Sequence, residues 1–181
     1  IEIYAAAVDL VNVEIDANGD GDLASSTFSK LKVDATGAVK LLGSIDGNAD
    51  LSGSTTKNIL QLTTGSSLTN DSGSSIALDE FDSVTLSTAA GIGTSADDRV
   101  TINANQVSAA VSGNGFIYIS NTPTVLATDA ADSLVTVSSL SIDTAGTTAQ
   151  NGIDYRQTTD NVTFTAATTN GGDVSLRTDA G

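Results

Sequence analysis

The sequence predicts an all-β chain that folds as a right-handed parallel β-helix, a solenoid with about three short strands in each rung of roughly 24 residues. Three observations lead to this prediction. Apolar positions recur at short regular intervals, groups of three such positions repeat along the chain, and helical periodicity is nearly absent. Apolar residues form 39% of the 181 residues but aromatic residues only 4%, which suits thin layers of small and β-branched side chains.

The regular spacing is clearest in the middle of the chain. Apolar residues stand eight positions apart at Leu60, Leu68, Ile76, Val84, Ile92 and Val100. Three steps return to a similar residue, which gives the series Leu60–Val84–Val107, Leu68–Ile92–Ile117 and Ile76–Val100–Val125. In a solenoid, each series would stack strand on strand, with glycine, asparagine and aspartate at the corners. The alternative is an antiparallel β-sandwich, in which strands recur about every 8–12 residues.

Two parts of the chain differ in pattern. Residues 1–29 are predicted to form an N-terminal strand or cap segment, because this most apolar stretch contains the alternating run "VNVEID". Residues 30–181 are predicted to form the solenoid repeats, with short apolar units separated by turn residues. Because the chain starts inside one strand-like run and stops just past another, we expect a piece of a longer protein.

Charge and composition limit the possible partners. The net charge of −15 opposes binding to nucleic acid and to anionic membrane surfaces, and the seven basic residues are scattered. No apolar run approaches the roughly 20 residues of a membrane-spanning helix, so we expect no membrane insertion. The chain has no cysteine, so no disulfide bond holds the fold.

An acidic loop inside the N-terminal segment resembles the first half of a calcium-binding loop. In "DANGDGD", the oxygen-bearing residues Asp16, Asn18, Asp20 and Asp22 alternate around Gly21, as in the first positions of an EF-hand. The match ends at Ala24 and Thr27, where further oxygen ligands belong, and a strand-like run precedes the loop. These four residues are therefore candidate ligands for calcium, and a plain turn is the alternative.

Catalytic constellations are absent from the sequence pattern. There is no histidine and no tryptophan, and the acidic pair Asp97–Asp98 stands beside Arg99 in a turn-like segment. Paired carboxylates can hydrolyse glycosides, but a solvated charged loop is the preferred interpretation of this pair. Arg99, Arg156 and Arg177 are isolated in the sequence, so a lyase that uses a basic side chain is not indicated. We therefore expect that the chain is not an enzyme.

One stretch carries a family resemblance. Residues 84–122 contain Gly91-Ile92-Gly93-Thr94 and, later, "GFIYISN" at 115–121. This pattern resembles repeats of bacterial surface and secreted proteins similar to filamentous haemagglutinin. The resemblance implies a right-handed β-helix, export to the cell surface or medium, and a role in adhesion or as a scaffold.

These observations lead to one functional expectation and two alternatives. We expect a non-enzymatic extracellular structural or adhesive protein, such as an adhesin shaft, a surface spacer or a filament subunit, with calcium as a candidate stabilising ion. The expected partners are copies or neighbouring segments that stack on the solenoid ends, together with surface glycans. The alternatives are a carbohydrate-active β-helix enzyme and a carbohydrate-binding module.

Overall fold

The computed structural model describes residues 2–10, 13–14, 29–47, 58–71, 76–123, 134–142, 152–158, 161–169 and 171–179. The regular secondary structure of these residues consists of strands, without any helix. The strands are β1 (Glu2–Ala5), β2 (Val8–Leu10), β3 (Val13–Glu14), β4 (Ser29–Ala35), β5 (Val39–Leu41), β6 (Ile45–Asp46), β7 (Asn58–Thr64), β8 (Ser67–Asn70), β9 (Leu78–Thr88), β10 (Gly91–Ile92), β11 (Val100–Val111), β12 (Phe116–Asn121), β13 (Leu134–Ile142), β14 (Gly152–Gln157), β15 (Asn161–Phe164), β16 (Ala167–Thr168) and β17 (Asp173–Thr178). The described part of the chain therefore contains no helix that could cross a membrane.

The strands stack in three parallel columns. The first column runs through β1, β4, β7, the second half of β9, the second half of β11, β13 and β15. The second column runs through β2, β5, β8, β10, β12, β14 and β17. The third column joins β3, β6 and the first halves of β9 and β11 to the end of β12. The predicted all-β parallel solenoid is confirmed, and the pairing between the described strands excludes the antiparallel sandwich.

Two of the three predicted residue series are confirmed by the strand register. Leu60 pairs with Val84, and Val84 with Val107, in the first column. In the second column, the successive partners are Leu68, Ile92 and Ile117. These side chains are buried and stack along the interior of the solenoid.

The third predicted series is wrong at its last step. Val100 pairs with Ile119, and Val125 lies outside the described residues. The reason is that the turn between the second and third columns changes length from one rung to the next. The rung length varies as well, because Ile117 pairs with Ile153, 36 positions later. The regular spacing therefore holds in the middle of the chain, and loops of unequal length absorb the difference elsewhere.

The predicted boundary at residues 29/30 falls at the start of β4. Strands β1, β2 and β3 of the predicted N-terminal segment pair in parallel with β4, β5 and β6. Both predicted parts thus contribute strands to the same columns. The division into an N-terminal strand or cap segment, 1–29, and solenoid repeats, 30–181, stays a prediction.

A narrow apolar core fills the interior. Side chains alternate inward and outward along the strands, as in β7, where Leu60 and Leu62 are fully buried and Gln61 is partly exposed. This alternation follows from the period of two of an extended chain. Each rung buries only a few aliphatic side chains, so the core gains stability by repetition along the axis rather than by thickness.

A polar cluster interrupts this core near its C-terminal end. The side chain of Asn121 accepts a hydrogen bond from Ala104 N at 3.1 Å and donates to Ala104 O at 2.9 Å. It also donates to Gln157 Oε1 at 3.3 Å, and the Tyr155 hydroxyl donates to the same oxygen at 2.9 Å. Asn121, Gln157 and Tyr155 are fully buried, and burial raises the pKa of the Tyr155 hydroxyl well above its ordinary value. The buried polar groups are thus paired with one another or with the backbone, as a stable interior requires.

The corner between the first and second columns is a tight stack of small residues. Gly115 is the closest case, because a Cβ atom added there would lie 2.0 Å from the carbonyl oxygen of Ala90 in the preceding rung. Gly37, Gly65 and Gly113 approach the carbonyl oxygens of preceding rungs in a similar way. The corner therefore requires residues without a side chain wherever the backbone of one rung lies directly on the next.

We predict that Gly115→Ala lowers the free energy of unfolding by about 1–3 kcal/mol, since the new methyl group overpacks the corner. Urea denaturation followed by circular dichroism would measure the change. Asn114→Ala, at the exposed neighbouring position, is the matched control and should stay within about 0.5 kcal/mol of the parent. Equal unfolding midpoints for Gly115→Ala and the parent would contradict this view of the corner.

Candidate functional site

The loop between β10 and β11 is an insertion on the outside of one rung. Ile92 in the second column and Val100 in the third are eight positions apart, whereas their partners in the next rung, Ile117 and Ile119, are two positions apart. Seven residues, the loop 93–99, therefore connect the two columns in the rung of Ile92, six more than in the next rung. In the next rung, β12 passes through both columns as one strand.

Hydrogen bonds within the loop fix its shape. Thr94 N donates to Asp98 O at 3.1 Å, and Asp98 N donates to Ser95 O at 3.2 Å. The Thr94 hydroxyl donates to the Asp98 carboxylate, and Asp97 N donates to Ser95 Oγ at 3.2 Å. Gly93 enters the loop with a φ of +71°, a left-handed conformation that favours glycine. The acidic pair noted in the sequence thus belongs to an ordered turn, in which Asp98 helps to close the loop.

Arg99 does not pair with its acidic neighbours but crosses to another rung. Its guanidinium donates to Asp154 Oδ2 at 2.7 Å and to Asp154 O at 2.8 Å. The two side chains are only 11% and 15% exposed, so water screens this ion pair weakly. Arg177 approaches the same carboxylate oxygen at 3.9 Å and is 63% exposed. Arg99 therefore fixes the inserted loop to β14, and Arg177 is a peripheral partner.

We predict that Arg99→Met lowers the free energy of unfolding by about 2–3 kcal/mol, because the largely buried Asp154 carboxylate loses its main charged donor. Arg156→Gln is the matched control, since Arg156 pairs with Asp179 at a more exposed position. Its expected cost is about 0–1 kcal/mol. Urea denaturation would measure the free energy of unfolding of the two variants. Similar decreases for both variants would contradict a special role for Arg99.

A polar groove lies between the loop 93–99 and the third column. Its volume is about 420 Å³, and its lining residues are Asn70, Ala96, Asp97, Asp98, Arg99, Thr101, Ser120 and Arg156. The floor is a register-matched row, in which Thr101 is level with Ser120 and Ser120 with Arg156. The row continues from Arg156 to Arg177 on β17. We call this feature the arginine groove, with the floor row Thr101, Ser120, Arg156 and Arg177 and the loop 93–99 as its wall.

The wall and the floor are connected by hydrogen bonds. Asn70 Nδ2 donates to Arg99 O at 2.9 Å and to Thr101 Oγ1 at 3.4 Å. Thr101 Oγ1 also accepts from Ala77 N at 2.9 Å. One end of the groove is thereby held in place, whereas the arginines at the other end are exposed, with side chains of Arg156 and Arg177 at 50% and 63% exposure.

Sequence reasoning missed this convergence of the arginines. The chain contains three arginines, at positions 99, 156 and 177, and the strand register brings all three to one side of the solenoid. The signal was hidden because the rung between Ile117 and Ile153 is much longer than the regular repeat. Aligning "FIYIS" at 116–120 with "GIDYR" at 152–156 by their alternating apolar residues would have placed Ser120 level with Arg156.

A second charged cluster lies on the third column, further towards the N-terminus. Asp46 is level with Asp79, and Glu80 follows with a φ of +53°. Asn103 Nδ2 donates to Asp79 Oδ1 at 2.7 Å. Partial burial, together with the carboxylates of Asp46 and Asp79, raises the pKa of Glu80 above its ordinary value. The parallel stacking therefore places like charges beside each other, which destabilises the ionised form.

We predict that Glu80→Gln stabilises the protein at pH 7 but not near pH 4. A carboxyl group whose pKa is raised by folding binds its proton more tightly in the folded state, so its contribution to stability falls as the pH rises through the raised value. Thermal unfolding at both pH values would measure the difference between variant and parent. Asp97→Asn removes one charge from the exposed loop 93–99 and serves as the control. A gain for Glu80→Gln that does not depend on pH would contradict the prediction.

The predicted calcium ligands Asp16, Asn18, Asp20 and Asp22 lie outside the described residues, so calcium binding there stays a prediction. Among the described residues, no group of three or more acidic side chains is arranged to hold a metal ion. The arginine groove offers hydroxyl, amide, carboxylate and guanidinium groups, which is the chemistry of polar ligand binding.

Searches for similar proteins add no identification. No protein-family description, no curated protein and no solved structure matches this chain.

Proposed function

We propose that the chain is a non-enzymatic structural segment, a stiff spacer or shaft in an extracellular surface or matrix protein. The observation that carries this proposal is the continuous first column, in which the described strands β1, β4, β7, β9, β11, β13 and β15 follow one another in parallel. At about 4.8 Å per strand, these seven levels span roughly 29 Å along the axis. A stack of this kind sets a fixed distance between its two ends.

Composition supports an extracellular setting. The net charge of −15 keeps a repetitive β-structure soluble, since charged surfaces oppose association through exposed strands. The absence of cysteine makes the fold insensitive to an oxidising environment. The resemblance of residues 84–122 to filamentous-haemagglutinin-like repeats points the same way and rests on the sequence pattern alone.

The contacts of the candidate acid–base groups, Asp98 and Arg99, favour a structural role over a catalytic one. Arg99 is bound to Asp154, and the Asp98 carboxylate accepts a hydrogen bond within its own loop. A general acid or base must be positioned towards a reacting group, and these two side chains are engaged in holding the loop. The carbohydrate-active enzyme stays the alternative, and cleavage of polysaccharides that Asp98→Ala abolishes would favour it.

The spacer proposal predicts a rigid axis that can be measured by electron paramagnetic resonance. The row Lys30, Ile59, Ser83, Gln106, Thr136 and Thr163 is in register along the first column. Because the native chain has no cysteine, nitroxide labels can be attached at Lys30→Cys and Thr163→Cys without removing other thiols. Five strand spacings place the two Cα atoms about 24 Å apart.

We expect one narrow distance distribution between the two labels. The pair Lys30→Cys and Gln106→Cys, three spacings apart, should give a proportionally shorter distance of about 14 Å between Cα atoms. A broad or multiple distribution for the longer pair, with a narrow one for the shorter pair, would mean that the column bends. That result would contradict a role as a fixed-length spacer.

A further inference from the structure

The arginine groove gathers cationic side chains of an otherwise acidic chain, each of them beside an aspartate. Three of the seven basic residues of the protein, and all of its arginines, lie at this one place. Arginine differs from lysine in presenting a planar fork of donors that matches a carboxylate with two parallel hydrogen bonds. The grouping of arginines therefore calls for an explanation that reaches beyond the stability of the loop.

The three arginines have different tasks. Arg99 is largely buried and fixed to Asp154, so it supports the groove. Arg156 contacts Asp179 through Nε at 2.6 Å, but the two side chains are 50% and 40% exposed. Arg177 lies 3.9 Å from Asp154 and is 63% exposed. The Arg156–Asp179 pair is exposed on both sides, and exposed ion pairs contribute little to stability, so a ligand carboxylate can replace Asp179 at little cost.

The positions of Arg156 and Arg177 suit a single carboxylate. They are level with each other on the adjacent strands β14 and β17, one strand spacing of about 4.8 Å apart. Arg156 points outward, since its neighbours Tyr155 and Gln157 are buried, and the Arg177 side chain is 63% exposed. Two neighbouring guanidinium groups can therefore surround one carboxylate at the open end of the groove.

The remainder of the groove suits hydroxyl groups. Thr101 and Ser120 continue the floor row away from the arginines, and Asp97 lies in the wall. Hydroxyl side chains both donate and accept hydrogen bonds, and a carboxylate accepts them from a sugar hydroxyl. We propose that the arginine groove binds an oligosaccharide that carries one carboxylate, with the acidic sugar at Arg156 and Arg177 and neutral sugar units along Ser120 and Thr101.

Two other ligand classes fit less well. A peptide that binds as an added strand needs an unpaired strand edge, but β12 and β14 in the floor are each paired on both sides. A polymer with a charge on every unit would meet Asp97 and Asp98 in the wall and the overall charge of −15. A mostly neutral glycan with one acidic unit avoids both penalties.

The test is a titration of the full chain with 3′-sialyllactose, lactose and trigalacturonate, by isothermal calorimetry and by amide chemical shifts. We expect sialyllactose to bind at least about tenfold more tightly than lactose, the factor that corresponds to one charge-assisted hydrogen bond. We also expect it to bind more tightly than trigalacturonate. The shifted amide signals should include those of Ser120 and Arg156.

Variants make the assignment specific. Arg156→Gln and Arg177→Gln should each weaken sialyllactose binding about tenfold and leave lactose binding unchanged. Lys40→Gln removes one positive charge from an exposed position on β5 in another part of the surface and should change neither affinity. Thermal unfolding of each variant would show that the loss of binding is not a loss of fold.

The proposal would be overturned if sialyllactose did not bind, or if it bound no more tightly than lactose. It would also be overturned if the protein preferred trigalacturonate or an aspartate-rich peptide, or if Arg156→Gln left sialyllactose binding unchanged. The proposal does not depend on the spacer role. A narrow distribution of label distances together with no sialyllactose binding would reject the ligand site and leave the spacer role intact. Sialyllactose binding together with a broad distribution of label distances would reject the spacer role and leave the ligand site intact.

Discussion

The spacing between parallel strands is the constraint on which the rest of this structure depends. Each rung lies about 4.8 Å from the next, so a side chain on a paired strand has a neighbour at the same position one rung away. Inside, this rule selects aliphatic residues that stack on one another, such as Leu60, Val84 and Val107. At the corner it selects glycine, since a Cβ on Gly115 would meet the backbone of the preceding rung.

The same rule has costs on the outer surface. Like charges at corresponding positions come within one strand spacing of each other, as Asp46 and Asp79 do. Beside them, burial raises the pKa of Glu80, and the two stacked carboxylates raise it further. Nearer the C-terminal end, Arg99 is bound to Asp154 across two strand spacings, and this pair of opposite charges holds an inserted loop. Arg99 thus joins the inserted loop to a strand of another rung.

The repeating strands could be predicted from the sequence. The pairing of strands could not be predicted where a loop changes length between rungs. Apolar periodicity placed Leu68, Ile92 and Ile117 in one column, because buried aliphatic positions tolerate little else. It failed at Val100, whose partner is Ile119, since the rung of β12 has no loop between the second and third columns. The arginine groove was missed for the same reason. Its members come from rungs of unequal length, and polar surface positions carry no periodic signal of their own.

The buried amides of Asn121 and Gln157 have a further consequence for how the rungs align. An aliphatic column is nearly indifferent to a slip of two residues, because one leucine or valine replaces another at the same face. The amide of Asn121 pairs with both backbone groups of Ala104 and also meets Gln157, so a slipped strand would leave several polar groups unpaired in the interior. A sparse set of polar side chains therefore gives a uniform stack a unique alignment, which the aliphatic core alone does not encode.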